Sequence, residues 1–187
     1  MYPHAESCSL VDSFQCALES PWSQANESLV LAPFTYTASN PGKEIRKLLI
    51  DAFNVWLAVP CEQLNIIEHV IQTLHNASLM IDDIEDDGGM RRGQPAAHVV
   101  YGIPQTINSA NYAYFLAFAK LKRLGEGVAT KDLDSVITEE LLNVHRGQGL
   151  EILWRDLLHC PTEEEYVSMV NNSTSVFVPA GQDQVSP

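Results

Sequence analysis

The sequence predicts an all-α fold, and three observations carry that prediction. Apolar residues recur every three to four positions through several long stretches, capping residues mark the ends of those stretches, and no internal repeat or β-hairpin signal interrupts them. With 187 residues and 45% hydrophobic content, the chain can bury the core of one ordinary domain. The net charge of -13 argues against nucleic acid or an anionic membrane surface as a partner, because both need a basic footprint. It leaves phosphate ligands open, since a divalent metal and a few arginines can hold them locally. Cys8, Cys16, Cys61 and Cys160 form no C-x-x-C pair, so reduced thiols in a cytoplasmic protein are expected. No basic segment leads into a long apolar run, and no stretch approaches 18 apolar residues, so neither a signal peptide nor a transmembrane segment is expected.

Residues 1–40 are rich in Ser, Pro and Asn and read as a mostly irregular extension, with at most a short helix at Leu10, Val11, Phe14 and Leu18 and an extended piece at Phe34-Thr35-Tyr36. Asn40 is placed to cap a helix with Pro41 in its first turn, and Ile45, Leu48, Leu49, Ala52 and Trp56 keep helical spacing until Val59-Pro60. The longest element runs from Cys61 to about Asp87. Leu64, Ile67, Ile71, Leu74, Ser78 and Ile81 form its stripe, Ile66, Val70 and Ala77 widen it, and Gly88-Gly89 reads as its C-cap. A helix apolar on so many sides is central, and part of its surface is expected to seek a partner.

Beyond Arg91-Arg92-Gly93-Gln94-Pro95, a helix is predicted from Gln105 to Leu124, with Gly125 as its stop. Another runs from Lys131 to about Leu158, where Gly147-Gln148-Gly149 breaks the apolar stripe and suggests close approach of a ligand or a neighbouring helix. Thr162 and Glu165 make a capping box for a last helix through Tyr166, Met169 and Val170. Residues 173–187 read as an irregular tail, which leaves 41–172 as the folded domain.

The chemistry concentrates at Asp82-Asp83-Ile84-Glu85-Asp86-Asp87. If the helix continues, Asp82 and Asp86 share a face, their charges repel, and the negative end of the helix dipole adds to the cost; a bound cation would relieve it. A solvated acidic helix end is the bland alternative, but this run follows directly on an apolar helix. A calcium loop starting at Asp83 would put Gln94 at its twelfth position, where a bidentate carboxylate is needed. A magnesium-diphosphate site asks only for Asp82 and Asp86 as metal ligands, with Arg91 and Arg92 as phosphate forks. His75 lies on the same face as Asp82 and Asp86, either as a core histidine or as a ligand.

The chain resembles the trans-isoprenyl diphosphate synthases, within them most closely the fungal geranylgeranyl diphosphate synthases. The resemblance runs from about Leu31 to about Asn172 and rests on Pro41-Gly42-Lys43-Glu44-Ile45-Arg46, the segment Leu74 to Asp86, Arg91-Arg92-Gly93, Gly102-Ile103-Pro104, Ile107 to Tyr112 and Gly147-Gln148-Gly149-Leu150. It implies the N-terminal half of an isoprenoid-synthase helical bundle. In that bundle Asp82, Asp83 and Asp86 are the catalytic aspartates, with Asp82 and Asp86 on Mg²⁺ as cofactor. Lys43, Arg46, His75 and Arg92 would hold isopentenyl diphosphate, and Arg91 the allylic diphosphate, which would be dimethylallyl, geranyl or farnesyl diphosphate. Thr174 matches the threonine of a Lys-Thr pair that contacts substrate, while Ser173 stands where the family has lysine.

The implied activity is prenyl transfer to geranylgeranyl diphosphate for terpenoid biosynthesis, by a homodimer. Small Ala77 and Ser78, about one helical turn before Asp82, would leave room for a long product, and Ala77→Phe would shorten it. The family's second aspartate-rich motif has no counterpart after Thr174. The alternative expectation is therefore an inactive, truncated prenyl-synthase-like protein that serves as a partner subunit or reflects a faulty gene model.

Overall fold

The structure is a computed structural model that describes residues 22–40, 42–126 and 130–174, without the side chains of 125–126, 130–134 and 173–174. The helix expected near Leu10, Pro41, Cys8, Cys16 and the tail from residue 175 lie outside the described residues. Eight α-helices are described: α1 (Gln24–Val30), α2 (Ala32–Ala38), α3 (Ile45–Leu57), α4 (Cys61–Glu85), α5 (Ala97–Tyr101), α6 (Ile103–Leu121), α7 (Thr130–Asp156) and α8 (Glu163–Thr174). A 3-10 turn, Lys122–Glu126, follows α6, and strands β1 (Met90–Arg91) and β2 (Gln94–Pro95) pair between α4 and α5. The all-α prediction holds, with this small hairpin as the addition. The chain divides into two compact units, Met1–Leu48 with Gln72–Phe115, and Leu49–Ile71 with Leu116–Pro187.

In the first unit, helices stand where residues 22–40 were expected to be irregular and Phe34-Thr35-Tyr36 extended. Ser23 caps α1, its hydroxyl accepting from the Asn26 N–H. Pro33 starts α2 rather than breaking it, because a proline in the first helical turn lacks only an N–H that would have no helical acceptor. The Glu27 carboxylate accepts from Trp22 Nε1 at 2.6 Å and from the Tyr112 hydroxyl at 2.8 Å, tying α1 to α6. α2 packs on α5 and is held by Phe34 N–H on Ser109 Oγ and by the Tyr36 hydroxyl on the Pro95 carbonyl. The core gathers Ala77 and Met80 of α4, Ala97 of α5, and Ala110 and Ala113 of α6, with Phe34, Tyr36, Ile81 and Tyr114 against it. Alanines at these positions let backbones approach closely, and that closeness sets which face of α4 is buried.

The buried stripe of α4 is Val70, Thr73, Leu74, Ala77 and Met80, rotated from the expected Ile71-Ser78 line. The correction has a consequence for Ala77. Its side chain is fully buried in the alanine core rather than placed to line an open channel, so Ala77→Phe would overpack the unit, at about 1–3 kcal/mol, before it acted on any product. Ser78, half-buried, lies on the same face as Asp82 and donates its hydroxyl to the His75 carbonyl.

In the second unit α7 packs against α8, and the capping box at α8 forms as read: Glu165 N–H donates to Thr162 Oγ1, and Thr162 N–H to the Glu165 carboxylate. The large exposed apolar surface lies on α3 rather than on α4. Leu48, Val55, Trp56 and Leu57 are all exposed, and α3 has no buried residue.

Several helix boundaries differ from expectation: α6 runs from Ile103 to Leu121, where the 3-10 turn takes over, rather than from Gln105 to Leu124. α3 begins at Ile45 rather than behind an Asn40 cap, because Glu44 takes a left-handed φ of 51° and stops the helix from extending backwards. α4 ends in a motif closed by Gly88 N–H on the Asp83 carbonyl and Asp87 N–H on the Ile84 carbonyl. The left-handed position is filled by Asp87 at φ 50°, not by either glycine. Asp tolerates that region better than most side chains, and so the helix stops one residue before Asp86.

Candidate functional site

The last turns of α4 and the β1–β2 hairpin build the site in the first unit. Arg92 and Gly93 are the two residues between the strands, with φ of 52° and 80°. Positive φ at both central residues is the mark of a type I′ turn, whose twist matches that of the flanking strands. Asparagine, aspartate or glycine usually occupies the first of these positions, so the sequence Arg-Gly gave no hairpin signal. The left-handed arginine is a strained choice that local contacts must hold.

Arg91 and Arg92 consequently serve different neighbours. Arg91, on β1, donates from Nε to Asp83 Oδ1 at 2.7 Å and from Nη2 to Asp82 Oδ2 at 2.8 Å, and Nη2 also forms an ion pair with Asp83 Oδ1. One guanidinium thus spans two adjacent carboxylates. Asp83 is buried, at 4% exposure, whereas Asp82 keeps about a third of its side chain in solvent. The hydrogen bond to Asp83 is the chief reason that the Arg91 pKa is held above its ordinary value, against partial burial, which acts the other way. The cation that the crowded carboxylates need is therefore supplied, in this state, by the chain itself.

Arg92 turns the opposite way. Its Nη1 donates to the Asn40 carbonyl, and its guanidinium lies so close to Gly42 that a Cβ there would meet Cζ and Nη2 at 3.1 Å. Arg46, at the start of α3, donates from Nη1 to His75 Nε2 at 2.9 Å. Because an arginine can only donate, the imidazole must accept at Nε2 and carry its proton on Nδ1. Burial, then Arg46, Arg92 and Arg91, lower the His75 pKa to about 4, so the ring is neutral near pH 7. Burial and the neighbouring Arg92 lower that of Arg46. Cations held this near one another form a ready site for an anion.

Arg46, His75, Arg91 and Arg92 are thus brought together with Asp82 and Asp83. Lys43 is exposed in the link just before α3, and Asp86 is exposed at the end of α4, its N–H on the Asp82 carbonyl at 2.9 Å. Thr174 is the last residue of α8, in the second unit, and its side chain is not among those described. Sequence reasoning missed Asn40 and Gly42 as supports of Arg92. The signal was present in the Pro41-Gly42-Lys43 motif, but Asn40 had been read as a helix cap, whereas its carbonyl receives the guanidinium.

Among the described residues no group of three or more His, Cys, Asp or Glu side chains gathers as a protein-only metal cage. Asp82 and Asp86 are solvent-accessible oxygen donors at the α4 end, as are Glu85 and Asp87. An ion that takes one or two carboxylates and fills its octahedron with water and phosphate oxygens, as Mg²⁺ does, asks for no closed cage.

Residues 27–181 match the Polyprenyl synthetase family. The chain is 55% identical over 152 residues to a geranylgeranyl pyrophosphate synthase of Mucor circinelloides f. lusitanicus, covering 81% of this chain and 49% of that protein. It is 52% identical over 153 residues to geranylgeranyl pyrophosphate synthase D of Phomopsis amygdali, covering 82% of this chain and 35% of that protein. A synthase of the same name from Hypoxylon pulicicidum is 51% identical over 153 residues, with 82% of this chain and 39% of that protein covered. The chain spans half or less of the length of these curated relatives. The match over most of the chain, together with the α4 aspartates and paired arginines, makes this protein a member of the polyprenyl synthetase family.

Proposed function

We propose that the protein is a prenyltransferase that joins isopentenyl diphosphate to an allylic diphosphate, with geranylgeranyl diphosphate as product. The observation that carries this reading is the pairing, on one hairpin, of an arginine bound to the α4 carboxylates with an arginine near Arg46 and His75. Such an arrangement has separate places for two diphosphates. The names of the relatives support the product and favour the catalytic reading over a partner-subunit role.

In this reading Arg46, Arg92, Lys43 and the neutral His75 hold the isopentenyl diphosphate. Asp82 and Asp86 would hold Mg²⁺, which supplies charge neutralisation to the departing diphosphate when bound. Arg91 completes the anion site on the allylic side, with Asp83 behind it. The allylic C–O bond breaks, the isopentenyl double bond attacks the cation to form a new C–C bond, and a proton leaves to restore the double bond. Alignment of two held substrates supplies much of the acceleration.

The proposed setting is a homodimer in the cytoplasm. Among the described residues no helix is long and apolar enough to cross a membrane, and Cys61 and Cys160 are free thiols, which supports a reducing compartment. The test is to incubate the chain with Mg²⁺, farnesyl diphosphate and labelled isopentenyl diphosphate. A labelled twenty-carbon diphosphate is the expected product. A chain that forms none, and binds neither diphosphate in the presence of Mg²⁺, overturns the reading.

A further inference from the structure

Resting on that reading, we infer that Arg91 is a removable internal counter-ion: its guanidinium engages Asp82, and a divalent cation that binds this carboxylate must displace it. Asp82 Oδ2, an oxygen that a metal would use, accepts from Arg91 Nη2 at 2.8 Å. The two neighbouring carboxylates are not equivalent. Asp83 is buried and holds Arg91 through both Nε and Nη2, whereas Asp82 is about a third exposed and accepts from Nη2. The guanidinium is therefore anchored on Asp83 and tethered on Asp82. Turning about the Asp83 contact would free Asp82 for metal and carry Nη2 towards an incoming phosphate, without leaving the buried Asp83 charge unpaired.

Metal and arginine thus compete for one carboxylate, and a diphosphate favours the metal twice, by adding oxygen ligands to it and by giving Arg91 another acceptor. The device also offsets the repulsion between the adjacent Asp82 and Asp83 at the head of the acidic run. A ligand shifts such a balance only by its differential affinity for the two arrangements, so removing the tether must appear as tighter binding of metal alone.

The experiment titrates Mn²⁺ into the 187-residue chain, with and without inorganic pyrophosphate, following free Mn²⁺ by electron paramagnetic resonance. Wild type, Arg91→Gln and Arg91→Lys are compared, with circular dichroism verifying the fold. Lysine keeps the charge but cannot span both carboxylates. Both variants are expected to bind Mn²⁺ alone about tenfold more tightly than wild type, since a charge-assisted hydrogen bond has been removed. A gain with glutamine but none with lysine shows a general field effect and overturns the inference.

If wild type binds Mn²⁺ with pyrophosphate and neither variant changes the metal-alone affinity, the counter-ion idea fails while the metal reading stands. If no protein binds Mn²⁺ under either condition, both fail. Should the variants not fold, the Arg91 Nη2–H resonance of wild type decides. Loss of the Asp82 tether predicts a shift of that resonance when Mg²⁺ and pyrophosphate are added together, and an unchanged resonance in a protein that has bound them overturns the inference.

Discussion

Arg91 and Arg92 are neighbours in sequence and opposites in circumstance. The first lies among negative charges that it neutralises, and hydrogen bonding raises its pKa. The second lies among positive ones, and lowers the pKa of Arg46 and contributes to lowering that of His75. A region whose charges are matched internally is a stabilising contact that a ligand must rearrange. A region where like charges are crowded costs stability that a ligand must repay. The same hairpin therefore holds one arginine whose charge is matched within the chain and one whose charge is not.

The largest test of that contrast removes the matched cation. Arg91→Ala leaves Asp83 buried without its main partner, and about 2–3 kcal/mol of unfolding free energy is expected to be lost, less than for a fully buried pair because Arg91 is 31% exposed. Urea denaturation measures it, and a loss below about 0.5 kcal/mol, the range of neutral surface changes, would make the pair incidental.

On the cationic side the expected effect is smaller and depends on pH. The folded pKa of His75, about 4, lies below the unfolded value of 6.5, so the unfolded chain takes up the proton first as pH falls. Its contribution is fully present above pH 6.5 and is lost between 6.5 and about 4. Allowing for solvent screening of a partly exposed ring, the loss is about 1–2 kcal/mol. His75→Gln should flatten the stability profile over that window. An unaltered profile would show that the imidazole is not held neutral.

The smallest effect is expected at Gly42, whose φ is not in the left-handed region, so alanine brings no backbone strain there. The added Cβ presses on the Arg92 guanidinium and should move it by a few tenths of an ångström. Pyrophosphate affinity should fall about two- to fivefold with little change in melting temperature, since misplacement costs binding geometry rather than packing. Equal affinity for both proteins would mean that Arg92 gives way freely.

Much of this was legible in the residues. Helical periodicity gave α3, α4, α6, α7 and α8 because their apolar spacing is sustained over many turns. The acidic run and the paired arginines identified the candidate site through the chemistry of diphosphates. What escaped was set by backbone conformation and packing. Phe34-Thr35-Tyr36 reads as extended, whereas Pro33 sits in the first turn of α2, where a proline is tolerated. Arg92 hid a turn because residues other than Asn, Asp or Gly rarely take a left-handed φ, and Asp87 ended α4 where the glycines after it draw the C-cap reading. Ala77 seemed to leave space, whereas its smallness serves the approach of neighbouring helices. Periodicity reports which side of a helix is apolar, not which part of that side is covered.

The two-residue turn between β1 and β2 has a last consequence, for what natural variation it can accept. Each strand has only two residues, and Met90 pairs with Pro95 and Arg91 with Gln94. Consecutive Cα atoms are fixed about 3.8 Å apart, so the arginines cannot be repositioned independently. Insertion or deletion of a single residue here would trade their neighbours, taking one arginine from its carboxylates and the other from Asn40 and Gly42. Segments with such counting constraints diverge by substitution around the arginines, not by change of length.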